Sequence, residues 1–124
     1  MIAKDLKPVE WVGSSYKDFT AFPQVVQQEM GHALYLAQTG RMHVSAKSLK
    51  GFGDAGVVEL VEHGERGTYR AVYTVKFESA VYVLHAFQKK SKAGIRTPRQ
   101  EIELVRRRLK VAEEDHKART KGSR

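Results

Sequence analysis

The side chains of this sequence best suited to chemistry are cations near the ends of strand-like runs. Lys47 and Lys50 sit in a glycine-containing stretch, Arg70 lies inside Thr-Tyr-Arg-Ala-Val-Tyr, and Lys89, Lys90 and Lys92 follow the last apolar run. Cations grouped in this way present positive charge to an anionic partner. Each also has a plainer reading. An arginine in mid-strand must reach the solvent face of its sheet or pair with an acid. Lys89-Lys90 alone reads as a solvated strand end, and Tyr69 and Tyr73, on one face of their run, read as the edge of a core.

Other chemistries are poorly served. His32, His43, His63, His85 and His116 show neither close spacing on one helix nor the acidic companions of a metal site, so no metal is expected. Gly51-Phe52-Gly53 has too few glycines, and no following helix, to cradle a dinucleotide or phosphate, and no cofactor is expected. A persuasive Ser-His-Asp set is absent. With no cysteine there is no disulfide framework and no thiolate nucleophile, which suits a reducing cytoplasm. Met1 to Glu10 lacks the apolar run of a secretory signal, and no stretch approaches the roughly 20 apolar residues of a membrane span. A cytoplasmic protein with no membrane partner is therefore expected.

The charge balance points to polyanions: 22 Lys and Arg against 14 Asp and Glu give a net +8, enough for a positive potential that on charge alone suits nucleic acid, the ribosome surface, an acidic protein or an anionic membrane. Solubility through net charge accounts for the same number.

The elements that must position these cations follow from periodicity. At 124 residues the chain fits one domain, 1–124. Pro8–Val12 reads as a short strand, and Ser14 or Ser15 caps a helix beginning near Tyr16. Pro23 opens a second helix, in which Val26, Met30, Ala33, Leu34 and Ala37 recur at helical spacing as far as Thr39–Gly40. Arg41–Gly56 has no period and reads as a loop. Val57–Val61, Thr68–Phe77 and Ser79–Phe87, rich in Val, Tyr and Phe, predict an antiparallel meander. Thr97-Pro98-Arg99-Gln100 predicts a capping box, with Thr97 as N-cap and Pro98 as first helical residue. Ile102, Val105, Leu109 and Ala112 then form one apolar stripe, and 116–124 is expected to fray. The prediction is an α+β fold. It comprises a small antiparallel sheet of three to four strands with an N-terminal helical hairpin and a C-terminal helix in a single helical layer.

Several pieces of this chain, taken in order, resemble the RelE/ParE toxin superfamily, in its HigB-like phage-derived branch. They are Leu49-Lys50-Gly51, Val58-Glu59-Leu60, Tyr69-Arg70-Ala71-Val72-Tyr73, Leu84-His85-Ala86-Phe87-Gln88-Lys89-Lys90, and Thr97-Pro98 before an arginine-rich helix. The resemblance implies a curved antiparallel sheet, helices packed on one face and a basic groove on the other. It implies the toxin of a type II toxin-antitoxin system, acting on the ribosome as a metal-independent endoribonuclease on mRNA. In such chemistry the RNA 2′-hydroxyl attacks the adjacent phosphate.

On that likeness Arg70 clamps the scissile phosphate, Lys90 shares it with Lys89 beside it, and Lys47, Lys50 and Lys92 hold flanking backbone. His85 or Tyr73 is the candidate for proton transfer. Some relatives carry a basic residue where this chain has Glu59. The implied partners are mRNA, the ribosome and a cognate antitoxin, usually a helix-turn-helix DNA-binding protein. Two other functions share the features: a ParE-like inhibitor of DNA gyrase, and a noncatalytic adaptor that uses its charge for attachment.

Overall fold

The computed structural model describes residues 6–89 and 97–122. Its elements run β1 (Val9–Trp11), α1 (Ser15–Thr20), α2 (Gln24–Gln38), β2 (Ala46–Ser48), β3 (Val57–Gly64), β4 (Gly67–Thr74), β5 (Val81–Lys89) and α3 (Arg99–Gly122). The five strands form one sheet in the order β1-β5-β4-β3-β2. β2 to β5 make an antiparallel meander, and β1 closes the other edge parallel to β5, with Val9 opposite Val81. The first and second strands thus occupy opposite edges. The chain between them must cross the sheet, and α1 and α2 are that crossing.

Three expectations are corrected. The sheet has five strands, because Ala46–Ser48, inside the stretch read as loop, pairs with β3; three residues are too few to show a period of two. α3 continues to Gly122, through the stretch expected to fray. The helices also do not share one face.

Two separate cores flank the sheet. Phe19, Phe22, Val26, Met30, Ala33, Leu34 and Ala37 of the α1–α2 layer pack on Leu60, Tyr69, Ala71, Tyr73, Val81 and Val83. On the reverse face Val105, Leu109 and Ala112 of α3 pack on Val57, Val72, Tyr82 and Leu84. With apolar side chains on both sides, β4 and β5 read as near-continuous runs of Val, Tyr, Leu and Ala, as sheets covered on both faces do.

The C-terminal half of α3 is tied down by a polar network. The Tyr82 hydroxyl donates to Asp115 Oδ2 at 2.7 Å, and Arg119 donates to Asp115 at 2.7 Å and to Glu10 of β1 at 3.0 and 3.2 Å. The hydrogen bond from Tyr82, with help from Arg119, holds the Asp115 carboxyl below the usual carboxylate range despite some desolvation, while burial pushes the Tyr82 phenol up.

Leu60 is fully buried under α2. Leu60→Ala is expected to lower the unfolding free energy by roughly 2–5 kcal/mol, read from the midpoint of urea unfolding. A second prediction follows from Asp115. Its folded pKa lies below the unfolded one, so its contribution is present above the unfolded value and is lost as pH falls through the folded value. Asp115→Asn is expected to lower the melting temperature at neutral pH, and its deficit relative to wild type is expected to shrink as pH falls below about 4.

Candidate functional site

Alternation along β4 decides which of the candidate residues can meet. Tyr69, Ala71 and Tyr73 point into the core beneath α1 and α2, so Arg70, Val72 and Thr74 point to the α3 face. Arg70 lies opposite Val61 of β3 and Phe87 of β5, and Val72 lies opposite Glu59 and His85. Arg70, Glu59, His85 and Phe87 therefore share a face.

His85 reaches that face through a break in the β5 ladder. Val72 pairs with His85 but Tyr73 pairs with Val83, so the register shifts by one residue at Leu84. Tyr82 and Leu84 already belong to the α3-side core and Val81 and Val83 to the other. Unbroken alternation from them would turn His85 toward α2. The bulge makes Leu84 and His85 face α3 in succession, which is how bulges re-aim side chains.

The first turn of α3 meets this face through polar contacts. Arg70, 3% exposed, holds Glu59 Oε2 at 3.2 Å through one terminal nitrogen. The Thr97 hydroxyl donates to the same Glu59 oxygen at 2.5 Å and accepts from Arg70 at 3.4 Å. Thr97 was expected as the N-cap of a capping box. Instead the Pro98 carbonyl accepts the first helical bonds, from Glu101 and Ile102, and the hydroxyl is committed to Glu59. One turn further on, His85 Nε2 lies 2.6 Å from Glu101 Oε1, with its ring stacked on Phe87 at 4.8 Å. His85 is 5% exposed, and its Nδ1 has no hydrogen-bond partner among the described residues.

A carboxylate held on Nε2 favours the tautomer with hydrogen there, which leaves Nδ1 as a proton acceptor. The face thus carries a guanidinium and an imidazole oriented by a carboxylate. They are diagonal neighbours on paired antiparallel strands, a relation that sets Cα atoms about 7–8 Å apart. A fork of N–H donors and a proton acceptor at that separation can bind an oxyanion and take a proton from a neighbouring hydroxyl.

The other expected residues divide. Lys89 ends β5 opposite Thr68, on the same face two and four residues beyond Phe87 and His85. Lys47 on β2 pairs with Glu59 and is exposed, and Lys50 is exposed in the following loop. Lys90 and Lys92 fall outside the described residues. Tyr73 is not brought to Arg70: it is fully buried on the opposite face, its hydroxyl has no partner among the described residues, and burial pushes its pKa up to about 12.

Glu59, Thr97 and Glu101 did not stand out as site residues from the sequence. Their roles depend on contacts spanning 38 and 16 residues. Arg106 was likewise unremarked. It donates to the Gly51 carbonyl at 3.1 Å, lies over the Phe52 ring at 4.6 Å and draws the loop carrying Lys50 to α3. Arg107 and Lys110 beside it line a shallow depression with Glu103 and make no ion pair among the described residues. Among the described residues no group of His, Asp and Glu side chains is arranged to hold a metal ion, and no helix is long and apolar enough to cross a membrane.

Known proteins give this geometry a setting. The family described as Phage derived protein Gp49-like (DUF891) matches residues 17–110. No curated protein matches the chain in sequence. Among solved structures, an E. coli toxin RelE mutant in the free state superposes with a TM-score of 0.51 at 18% identity, covering 67% of this chain and 83% of that one. The toxin-antitoxin complex RelBE2 from Mycobacterium tuberculosis gives a TM-score of 0.46 at 18% identity, covering 69% and 94%. The chain belongs to the phage-derived Gp49-like family and has the fold of the RelE toxin.

Proposed function

We propose that this protein is the toxin of a type II toxin-antitoxin pair and acts as a metal-independent endoribonuclease on ribosome-bound mRNA. The observation that carries the reading is the convergence on one face of the sheet of Arg70 and of His85 held by Glu101. Arg70 binds the non-bridging oxygens of the scissile phosphate. His85 Nδ1 takes the proton as the 2′-oxygen bonds to phosphorus. The bond from phosphorus to the 5′-oxygen then breaks and that oxygen takes a proton from water, leaving a 2′,3′-cyclic phosphate and a 5′-hydroxyl. Lys89, with Lys90, adds positive charge where the dianionic transition state forms.

The surface cations supply attachment. Lys47 and Lys50 on the β2 side, with Lys92, hold flanking phosphates, and a net charge of +8 draws the protein to RNA in a salt-dependent manner. The sequence motifs further imply a cognate antitoxin, a helix-turn-helix DNA-binding protein, that neutralises this activity in the cytoplasm. The burial of Arg70 against Glu59 supports a second reading: a binding toxin with no need of an open cation, in the manner of a gyrase inhibitor.

The test is induced expression in a bacterial host with growth followed and mRNA 5′ ends mapped. Arg70→Lys is the informative variant, because it keeps a charge for Glu59 but loses the planar fork that binds a phosphate bidentately. Wild type is expected to arrest growth and introduce internal cuts, and the variant to cut at least roughly 100-fold less, the usual consequence of losing one transition-state donor. Arrest without cuts, accompanied by loss of supercoiling by purified gyrase, selects the binding toxin. No arrest at all selects the noncatalytic adaptor.

A further inference from the structure

Arg70 and His85 are 3% and 5% exposed, so an RNA phosphate cannot reach them in this arrangement. Among the described residues, what meets them is polar and specific. A single oxygen of Glu59 receives both the Arg70 guanidinium and the Thr97 hydroxyl, and Glu101 receives His85. Thr97 directly precedes Pro98 at the start of α3, and Glu101 lies in its first turn.

We propose that the first turn of α3 is an autoinhibitory latch, in which the Glu59 carboxylate occupies Arg70 in the place of a substrate phosphate. The inference rests on the ribonuclease reading above and adds a closed and an open state to it. A carboxylate and a phosphate present the same kind of paired, anionic oxygens to a guanidinium, so they compete for it.

The anchoring of α3 makes local opening feasible. Its buried apolar attachment begins at Val105 and continues through Leu109 and Ala112, and its far end is held by Asp115 and Arg119. Among the described residues the start of α3 is held chiefly by Thr97–Glu59 just before it and by Glu101–His85, with Ile102 half-buried. Hydrogen bonds exchange for water at small net cost, whereas the apolar contacts do not. Thr97 and Pro98 can therefore lift from Glu59 and free the Glu101 and Ile102 amides, while Glu101 stays on His85 and the α3 core stays packed. A phosphate that takes Arg70 displaces Glu59, and Glu59 in turn releases Thr97. The closed population lowers apparent RNA affinity by the fraction of molecules it withholds.

Two conservative variants separate the parts of the latch. Thr97→Val keeps the shape of the side chain and removes the donor to Glu59. Glu59→Gln removes the competing charge and leaves Arg70 without its carboxylate, which favours the open state. The probe is a 2′-O-methylated oligoribonucleotide, which retains its phosphates and cannot be cleaved for want of a 2′-hydroxyl. Its affinity is measured alongside hydrogen exchange at the Glu101 and Ile102 amides, with circular dichroism verifying that each variant folds.

Both variants are expected to bind the probe about tenfold more tightly, to exchange those two amides faster, and to lose the gain in affinity when Arg70→Gln is added. Unchanged affinity in both variants while wild type still cleaves RNA overturns the latch and leaves the ribonuclease reading intact. Slower cleavage by Glu59→Gln at unchanged affinity assigns Glu59 to proton transfer and also overturns it. No affinity for the probe in any variant, with no cleavage by wild type, removes the ribonuclease reading and the latch with it.

Discussion

A sheet that is apolar on both faces has to be covered on both, and the rest of this structure follows from that constraint. β4, between β3 and β5, sends Tyr69, Ala71 and Tyr73 one way and Val72 the other. Neither set tolerates water. The α1–α2 pair satisfies one face while carrying the chain from β1 at one edge to β2 at the other. α3 satisfies the second face, and its apolar stripe of Val105, Leu109 and Ala112 is the width of one helix. Burial of this kind is non-directional and dominates folding, so the layer order follows from which surfaces must be hidden.

Against that background the polar residues on the α3 face are costly. A guanidinium, two carboxylates and an imidazole have been drawn into a sheet-helix interface, where an unpaired charge is strongly destabilising and a paired one contributes little to stability. Each charge has a partner, Arg70 with Glu59 and His85 with Glu101, and Thr97 donates to Glu59. An apolar interface of the same shape would serve the fold at least as well. Groups kept in such a place despite their cost are candidates for chemistry.

The same arrangement explains why the plain and the functional readings of Arg70 do not exclude each other. A mid-strand arginine was expected to be solvated or paired, and it is paired. It is paired, however, with a carboxylate, and beneath a helix terminus held mainly by hydrogen bonds. The ion pair is therefore both a structural solution for a buried cation and a contact that an anion of similar geometry can replace. Tyr73 shared with His85 the claim to proton transfer, and strand parity turns it from Arg70, since the residue at i+3 faces the other side.

The sequence by itself determined the helices, the meander and the cations. Val26, Met30, Ala33, Leu34 and Ala37 announce α2 through their spacing, Val-, Tyr- and Phe-rich runs announce β3 to β5, and the order of short motifs from Leu49 to Thr97 identified the family. Those signals are local, because each depends on residues within a turn or a strand of one another. Tertiary structure alone decided the rest. The bulge at Leu84 that turns His85 toward α3, the strand at Ala46–Ser48, the placement of α3 on the far face, and the commitment of Thr97 to Glu59 instead of to its own helix all depend on partners distant in sequence. Periodicity reports which way a side chain points relative to its neighbours in the chain. Which surface it then meets is settled by packing, where the free energy of burial is shared among elements that the chain brings together only when it folds.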